Sequence, residues 1–382
     1  MSRPTICLSM IVKNEEKDIK RCLESVIPFI DYWVISDTGS TDNTKKIIQE
    51  VMDKHEVPGE LHDHDWVDFS TNRNYALDLS REHADFIWCM DADDNFSPNG
   101  ADPLKSLSTD FSMVHMTYLF EETGTTFNRA CMLRSDTGIK FKGVLHEVMV
   151  AEDGSAWPST ERALLHDAGH IVARASPLKR NKTLKEKYLS DARILEGALD
   201  KDPEDYRAMF YIGQSYQLAE EFKEAIKAYS LRSMFFDKGN KDEVFLSLYE
   251  IAKLKSHLRY PMEETIDDCV RAWEFQPTRI ESLYLAMVNL YNAGRYPYAL
   301  CFGMMASKCA APNIQDSKLE LDVYDYKFID LYSRCMFRCG QKDEAISFLM
   351  SNIDRLEKDD GSDRIKLAIK VLRETVSEIE KN

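Results

Sequence analysis

The 382-residue chain predicts a mainly parallel α/β domain followed by an all-α domain of helical repeats. Three observations carry this. In the first half, short apolar runs alternate with segments whose apolar residues recur at helical spacing, the order that builds a parallel sheet covered by helices. After Arg174-Ala175-Ser176-Pro177 the strand-like runs stop, which divides the chain into residues 1–173 and 174–382. Beyond that point small and aromatic residues recur as they do in stacked helix pairs.

Residues 6–12 read as the first strand and 15–26 as a helix with Ile19, Leu23 and Val26 on one side. A strand at 32–36 leads through a turn to a helix at 43–54; a third strand falls at 59–62 and a helix at 70–82. Then comes Phe86-Ile87-Trp88-Cys89-Met90-Asp91-Ala92-Asp93-Asp94, a strand-length apolar run that ends in acid. Short strands at 112–120, 129–134 and 163–166 indicate an added mixed or antiparallel region. In the second half, Ala208, Tyr211, Gly213 and Tyr216, then Phe222, Ala225, Ala228 and Tyr229, follow the pattern of a tetratricopeptide hairpin. Similar pairs span 244–275, 280–309 and 324–356, with Gly294 and Gly340 at turns, and a helix over 362–380 caps the stack.

Composition bounds the function. The net charge is −16, so the chain repels nucleic acid at long range and is not expected to bind it. No stretch approaches the roughly 20 apolar residues of a membrane span, and the start carries no cleavable hydrophobic segment. The nine cysteines are scattered, as for free thiols in a reducing compartment, which points to the cytoplasm.

Chemistry concentrates at the acid-tipped strand. Buried strands do not tolerate unpaired acid, so Asp91, Asp93 and Asp94 belong just past the strand's end, facing something positive. Residues two apart share a side in extended backbone, which lets Asp91 and Asp93 converge on one hard cation, Mg²⁺ or Mn²⁺. An ion held by so few protein ligands takes phosphate as its other partner. Upstream, a strand delivers Asp37 to the turn Thr38-Gly39-Ser40-Thr41-Asp42-Asn43, where the acid has no local job and suits a base N–H or a ribose hydroxyl. Ser9-Met10-Ile11-Val12-Lys13-Asn14-Glu15-Glu16 ends the first strand, and Arg73-Asn74 sits on the third helix, where arginine can pair with phosphate or stack on a base. Taken singly, a structural turn or a solvated helix-face arginine explains each of these as well.

Together, SMIVKNEE, SDTGSTDNT, Arg73-Asn74-x-Ala76-Leu77 and the apolar strand with DADD resemble family 2 glycosyltransferases over roughly the first 170 residues. More closely they are similar to the bacterial branch that includes lipopolysaccharide-core glucosyltransferases and peptide glycosyltransferases. That branch adds an arginine-rich strand (Arg129 and Arg134), an xHE element (His146-Glu147) and a later apolar-His strand end (Leu164-Leu165-His166). Some of its members carry tetratricopeptide repeats.

The resemblance implies a GT-A fold, a nucleotide-diphosphate sugar as donor, by default a UDP-sugar, Mn²⁺ or Mg²⁺ as cofactor, and inversion at the anomeric carbon. It assigns Asp37 and Arg73 to the nucleotide, the backbone around Met10 and the Asn14-Glu15 pair to base and ribose, and Arg134 to the donor. Asp93 becomes the direct metal ligand, Asp91 a bridge to ribose or metal, and His166 a further ligand with His170 as its rival. Glu147 is a candidate base; the competing assignment makes His146-Glu147 an orienting pair. Arg180, in the basic stretch 179–187, is a candidate for the diphosphate or a solvated helix start. The repeats are expected to bind the acceptor, a protein, peptide or glycan, and to offer a surface for a homodimer. The alternatives are a non-catalytic repeat scaffold with a degenerate nucleotide-sugar domain, and a nucleotidyltransferase. The latter lacks a Gly-rich phosphate loop after the first strand.

Overall fold

Strand β1 (Ile6–Val12) is buried along nearly its whole length because parallel neighbours flank it on both sides. A computed structural model describes residues 3–100, 103–120, 126–155, 158–174, 183–309, 319–358 and 361–381, and the chain divides into two units, residues 1–183 and 184–382.

In the first unit, β1 is followed by α1 (Ile19–Val26), β2 (Tyr32–Asp37), α2 (Thr44–Lys54), β3 (Gly59–Asp63), α3 (Phe69–Ser80) and β4 (Phe86–Cys89). Helix α1 starts four residues later than its periodicity predicts, because residues 14–16 bond instead to the loop before α2 and to its first residue, Thr44. Next come β5 (Asn95–Pro98), β6 (Met113–Phe120), β7 (Thr126–Arg134), β8 (Lys140–Lys142), β9 (Val148–Val150), β10 (Arg162–Leu164) and β11 (Gly169–Ala173). The sheet order is β3-β2-β1-β4-β7-β6-β11-β5, with β10 also on β6 and β8-β9 a separate hairpin. Strands β1 to β4 pair in parallel, and β7 enters antiparallel between β4 and β6. The sheet is thus mainly parallel with an added mixed region. Its core joins Ile6, Leu8 and Met10 to Leu23, Ile35, Trp88 and Phe96.

The second unit runs through α4 (Leu184–Leu199), α5 (Tyr206–Leu218), α6 (Phe222–Met234), α7 (Lys241–His257), α8 (Met262–Phe275), α9 (Glu281–Asn292), α10 (Tyr296–Ala306), α11 (Phe328–Arg338), α12 (Lys342–Leu356) and α13 (Asp363–Lys381). Four helix pairs turn in one way. Glu220, Arg259, Gly294 and Gly340 each sit two residues past a helix end with positive φ, between +57° and +83°. Each donates its N–H to the carbonyl three residues back, and the next residue donates five back, the paired bonds that satisfy a helix C-terminus. Helix partners approach closely through small residues: a Cβ on Gly213 would lie 2.6 Å from the Tyr229 ring. Among the described residues, no helix is long and apolar enough to cross a membrane, and all nine cysteines are free.

Candidate functional site

Because β1 to β4 are parallel, their carboxyl ends share one rim, where ligands gather in such sheets. Two loops on this rim are laced together. Asn14, at φ +57°, donates its N–H to Ser40 Oγ at 2.8 Å and accepts the Thr41 N–H on Oδ1 at 2.8 Å. The Glu15 N–H donates to Thr44 Oγ1 at 2.7 Å, and the Glu16 N–H to Asp42 Oδ2 at 3.2 Å. The Asn14 side chain thus builds the rim, while Met10 is a core residue with 1% exposure.

Asp37, at the end of β2, is almost fully buried. Its Oδ1 accepts the N–H of Gly39 at 2.9 Å and of Ser40 at 2.7 Å. This corrects the expectation of an acid without a local job, since one oxygen closes the turn, for which Gly39 supplies φ +100°. Its Oδ2 is buried without a hydrogen-bond partner. Orphaned polar atoms of this kind are rare in folded proteins, and a ligand's hydrogen-bond donor would satisfy this one.

The centre of the site is a four-residue charge cluster. Asp68 caps α3 by accepting the Thr71 N–H, and one turn on, Arg73 points inward at 7% exposure. Its Nη2 donates to Asp91 Oδ1 at 2.5 Å and its Nε to Glu147 Oε1 at 2.8 Å. Arg129 on β7 donates from Nη1 to Asp91 Oδ2 at 3.2 Å, and its Nη2 lies 3.9 Å from Glu147 Oε1. Burial opposes the Asp91 charge, but Arg73 and Arg129 outweigh it and hold the carboxyl well below the usual range. Both guanidiniums, despite burial, are held charged by Asp91. The neighbouring Asn74 fixes the same loop from its other side. It accepts the Phe141 N–H at 2.7 Å and donates to the Phe141 carbonyl at 2.9 Å, while Arg73 lies 5.6 Å from the centre of the Phe141 ring. The Arg73-Asn74 pair therefore positions the β8–β9 hairpin that carries Glu147.

Register explains which arginine of β7 reaches the acids. Trp88 pairs with Met132, and continuing three residues brings Arg129 to Asp91. Arg134 pairs with Phe86 at the opposite end of β4, roughly 16 Å along the strand from Arg129, where it donates to Asp136 at 2.6 Å and to the Thr109 carbonyl. It does not join the cluster; Arg129 does. His146 is exposed at φ +53° beside Glu147. His166 does not end a strand: β10 stops at Leu164, residues His166–Ala168 form a single 3-10 turn, and the His166 side chain lies outside the described residues. Arg180 lies outside them too. His170 sits within β11, paired with Ser97 and Thr117.

For a divalent cation, the informative residue is Asp94. It is 4% exposed, its Oδ2 has no partner, and burial together with Asp91 and Asp93 pushes its carboxyl up to about 8. A hard cation here would relieve an uncompensated carboxylate, which is what a bound metal does to local proton affinities. Asp91 has both oxygens on arginine, so Asp94, with its unpartnered Oδ2, is the acid whose setting fits the ion, and Asp93 stands next to it in the chain. Among the described residues, no three acids, histidines or cysteines form a complete ligand set. Phosphate and water would complete it.

Residues 7–137 match the family described as glycosyl transferase family 2. Among curated relatives, the SPbeta prophage-derived glycosyltransferase SunS of Bacillus subtilis is 27% identical over 231 residues, covering 58% of this chain and 52% of its own length. A TPR repeat-containing protein of Synechococcus elongatus is 33% identical over 149 residues, covering 38% of this chain and 35% of its own. The chain thus spans about half the length of the first of these, or less of the second. Among solved structures, S. aureus TarS aligns at 16% identity over 69% of this chain and 54% of its own, with a TM-score of 0.36.

Proposed function

We infer that this chain, whose residues 7–137 match glycosyl transferase family 2, transfers a sugar from a nucleotide-diphosphate donor, by preference a UDP-sugar, to an acceptor with inversion at the anomeric carbon. The observation that carries the proposal is Asp91 clamped between Arg73 and Arg129 at the tip of β4, beside the unpartnered oxygen of Asp94. The departing diphosphate needs positive charge, and two guanidiniums stand ready to exchange carboxylate oxygens for phosphate oxygens. When bound, Mn²⁺ or Mg²⁺ at Asp93 and Asp94 would supply further charge to that leaving group.

Asp37 Oδ2 is proposed to accept from the base or a ribose hydroxyl, its companion oxygen being held by the turn. For Glu147 we favour positioning over proton abstraction: a carboxylate 2.8 Å from one guanidinium and 3.9 Å from another is a poor base, but it aims Arg73 well. The repeat unit is proposed to bind the acceptor, a peptide, protein or glycan, and to pair two copies of the chain in the cytoplasm. Release of UDP from a panel of UDP-sugars in the presence of Mn²⁺ tests the proposal. Turnover of at least one donor supports it, and inertness of all, with GDP-sugars equally inert, leaves a scaffold protein.

A further inference from the structure

The β6–β7 hairpin extends past the acid-tipped end of β4 and carries a row of aromatic rings along one face. Tyr118 pairs directly with Phe127 across the two strands, their ring centroids 5.5 Å apart. Phe120, two residues beyond Tyr118 and so on the same face, stacks on Phe127 at 5.2 Å with the rings 23° from parallel. Burial falls steadily along the row: Met116 is wholly buried, Tyr118 is 2% exposed, and Phe120 and Phe127 are each 37% exposed. The inner end joins the charge cluster, because the Arg129 guanidinium that holds Asp91 lies 5.4 Å from the centre of the Tyr118 ring. Two exposed phenyl rings stacked on each other cost hydration without helping the core.

We propose that this row is the acceptor platform of the site and that its occupant is the pyranose ring of a carbohydrate acceptor. The inference rests on the glycosyltransferase reading above and adds to it the class of acceptor and the residues that hold it. Continuity is the first argument. A ring lying along Phe120 and Phe127 points one end toward Tyr118, and so toward the donor site to which Arg129 and Asp91 belong. Charge is the second. Arg129 already faces Asp91 at 3.2 Å and Glu147 at 3.9 Å, so its charge is matched and the platform favours a neutral partner. A pyranose is neutral, presents a flat patch of C–H groups to an aromatic ring, and keeps hydroxyls at its rim. Aromatic rings, with their negative faces, attract such C–H groups.

The test uses the full chain and named sugars: methyl β-glucopyranoside, methyl α-glucopyranoside and N-acetylglucosamine, read by saturation-transfer NMR. The expected result is transfer from aromatic protons to the ring C–H protons of at least one sugar, weakened about five- to tenfold in affinity by Phe120→Ala plus Phe127→Ala. Phe127→Trp is expected to restore it. No transfer to any sugar, or transfer unchanged by the double substitution, overturns the proposal. So does a hydrophobic peptide that binds in place of every sugar, or a dimer that the double substitution dissociates. Manganese-linked UDP binding, measured on the same variants, keeps the two levels apart. Its retention in the double variant shows that fold and donor site are intact. Its absence from the wild-type chain counts against the donor reading, while the sugar measurement still scores the platform.

Discussion

Arg73 and Asp91 form a 2.5 Å ion pair between α3 and the tip of β4, and the same guanidinium holds Glu147 at 2.8 Å. One buried cation thus ties together the helix, the acid-tipped strand and the β8–β9 hairpin. Removing it leaves two carboxylates short of a shared partner. Breaking a buried ion pair costs about 3–5 kcal/mol. Asp91 is a third exposed and Arg129 stays beside both acids, so Arg73→Gln is expected to cost about 3 kcal/mol, at the lower end of that range. Urea unfolding of the N-terminal unit's transition measures this, and an unchanged midpoint contradicts the clamp.

Asp37→Asn separates the two jobs of that residue. An amide oxygen can still accept from Gly39 and Ser40, so the turn and the melting temperature are expected to survive. The second position becomes a donor where an acceptor stood, and affinity for UDP is expected to fall at least about tenfold, the cost of one mismatched charged hydrogen bond. Calorimetric titration with UDP in the presence of Mn²⁺ checks it. Equal affinity for both proteins removes Asp37 from the nucleotide site.

Glu147→Gln distinguishes positioning from base catalysis. The amide oxygen still accepts the Arg73 Nε–H, so partial turnover is expected, with the acidic limb of the pH profile of kcat/KM unchanged. Glu147→Ala is expected to lose about 100-fold in kcat through misplacement of Arg73. A near-complete loss in the Gln variant, with a residual rate that no longer shows the acidic limb, makes Glu147 the base instead.

The helical unit offers a prediction independent of catalysis. Glu220 and Arg259 occupy the same left-handed turn position as Gly294 and Gly340. A side chain there costs about 1–2 kcal/mol, so Glu220→Gly and Arg259→Gly are each expected to stabilise the unit by about 1 kcal/mol. Gly294→Ala should destabilise it by a similar amount. Thermal unfolding followed by circular dichroism reads all three, and a lower melting temperature for both glycine variants contradicts the turn geometry.

Strands β1, β2 and β4 were legible because each is an apolar run closed by a turn, and parallel order then puts Asp37 and Asp91 on one rim. The strands β5, β8, β9 and β11 were not. They are three to five residues long with mixed burial, and β5 finds its partner, β11, far along the chain. Both arginines of β7 were visible, but their roles depend on strand register, which fixes Arg129 rather than Arg134 opposite Asp91. Asn74 was visible only as the neighbour of Arg73; its bonds to Phe141 are made to backbone, which side-chain chemistry does not advertise. The burial of Asp94 was equally hidden, since three acids in four positions look alike until the turn from Asp91 to Asp94 is closed by its backbone bond.

The central claim is a divalent-ion-dependent nucleotide site at the tip of β4. Thermal shift of the full chain with UDP, with and without Mn²⁺, compared with Asp93→Asn, tests it most directly. The account predicts that UDP raises the melting temperature of the wild-type chain only when Mn²⁺ is present, and that Asp93→Asn abolishes the increment while melting normally alone. An increment that needs no metal, or one that survives in Asp93→Asn, would contradict it.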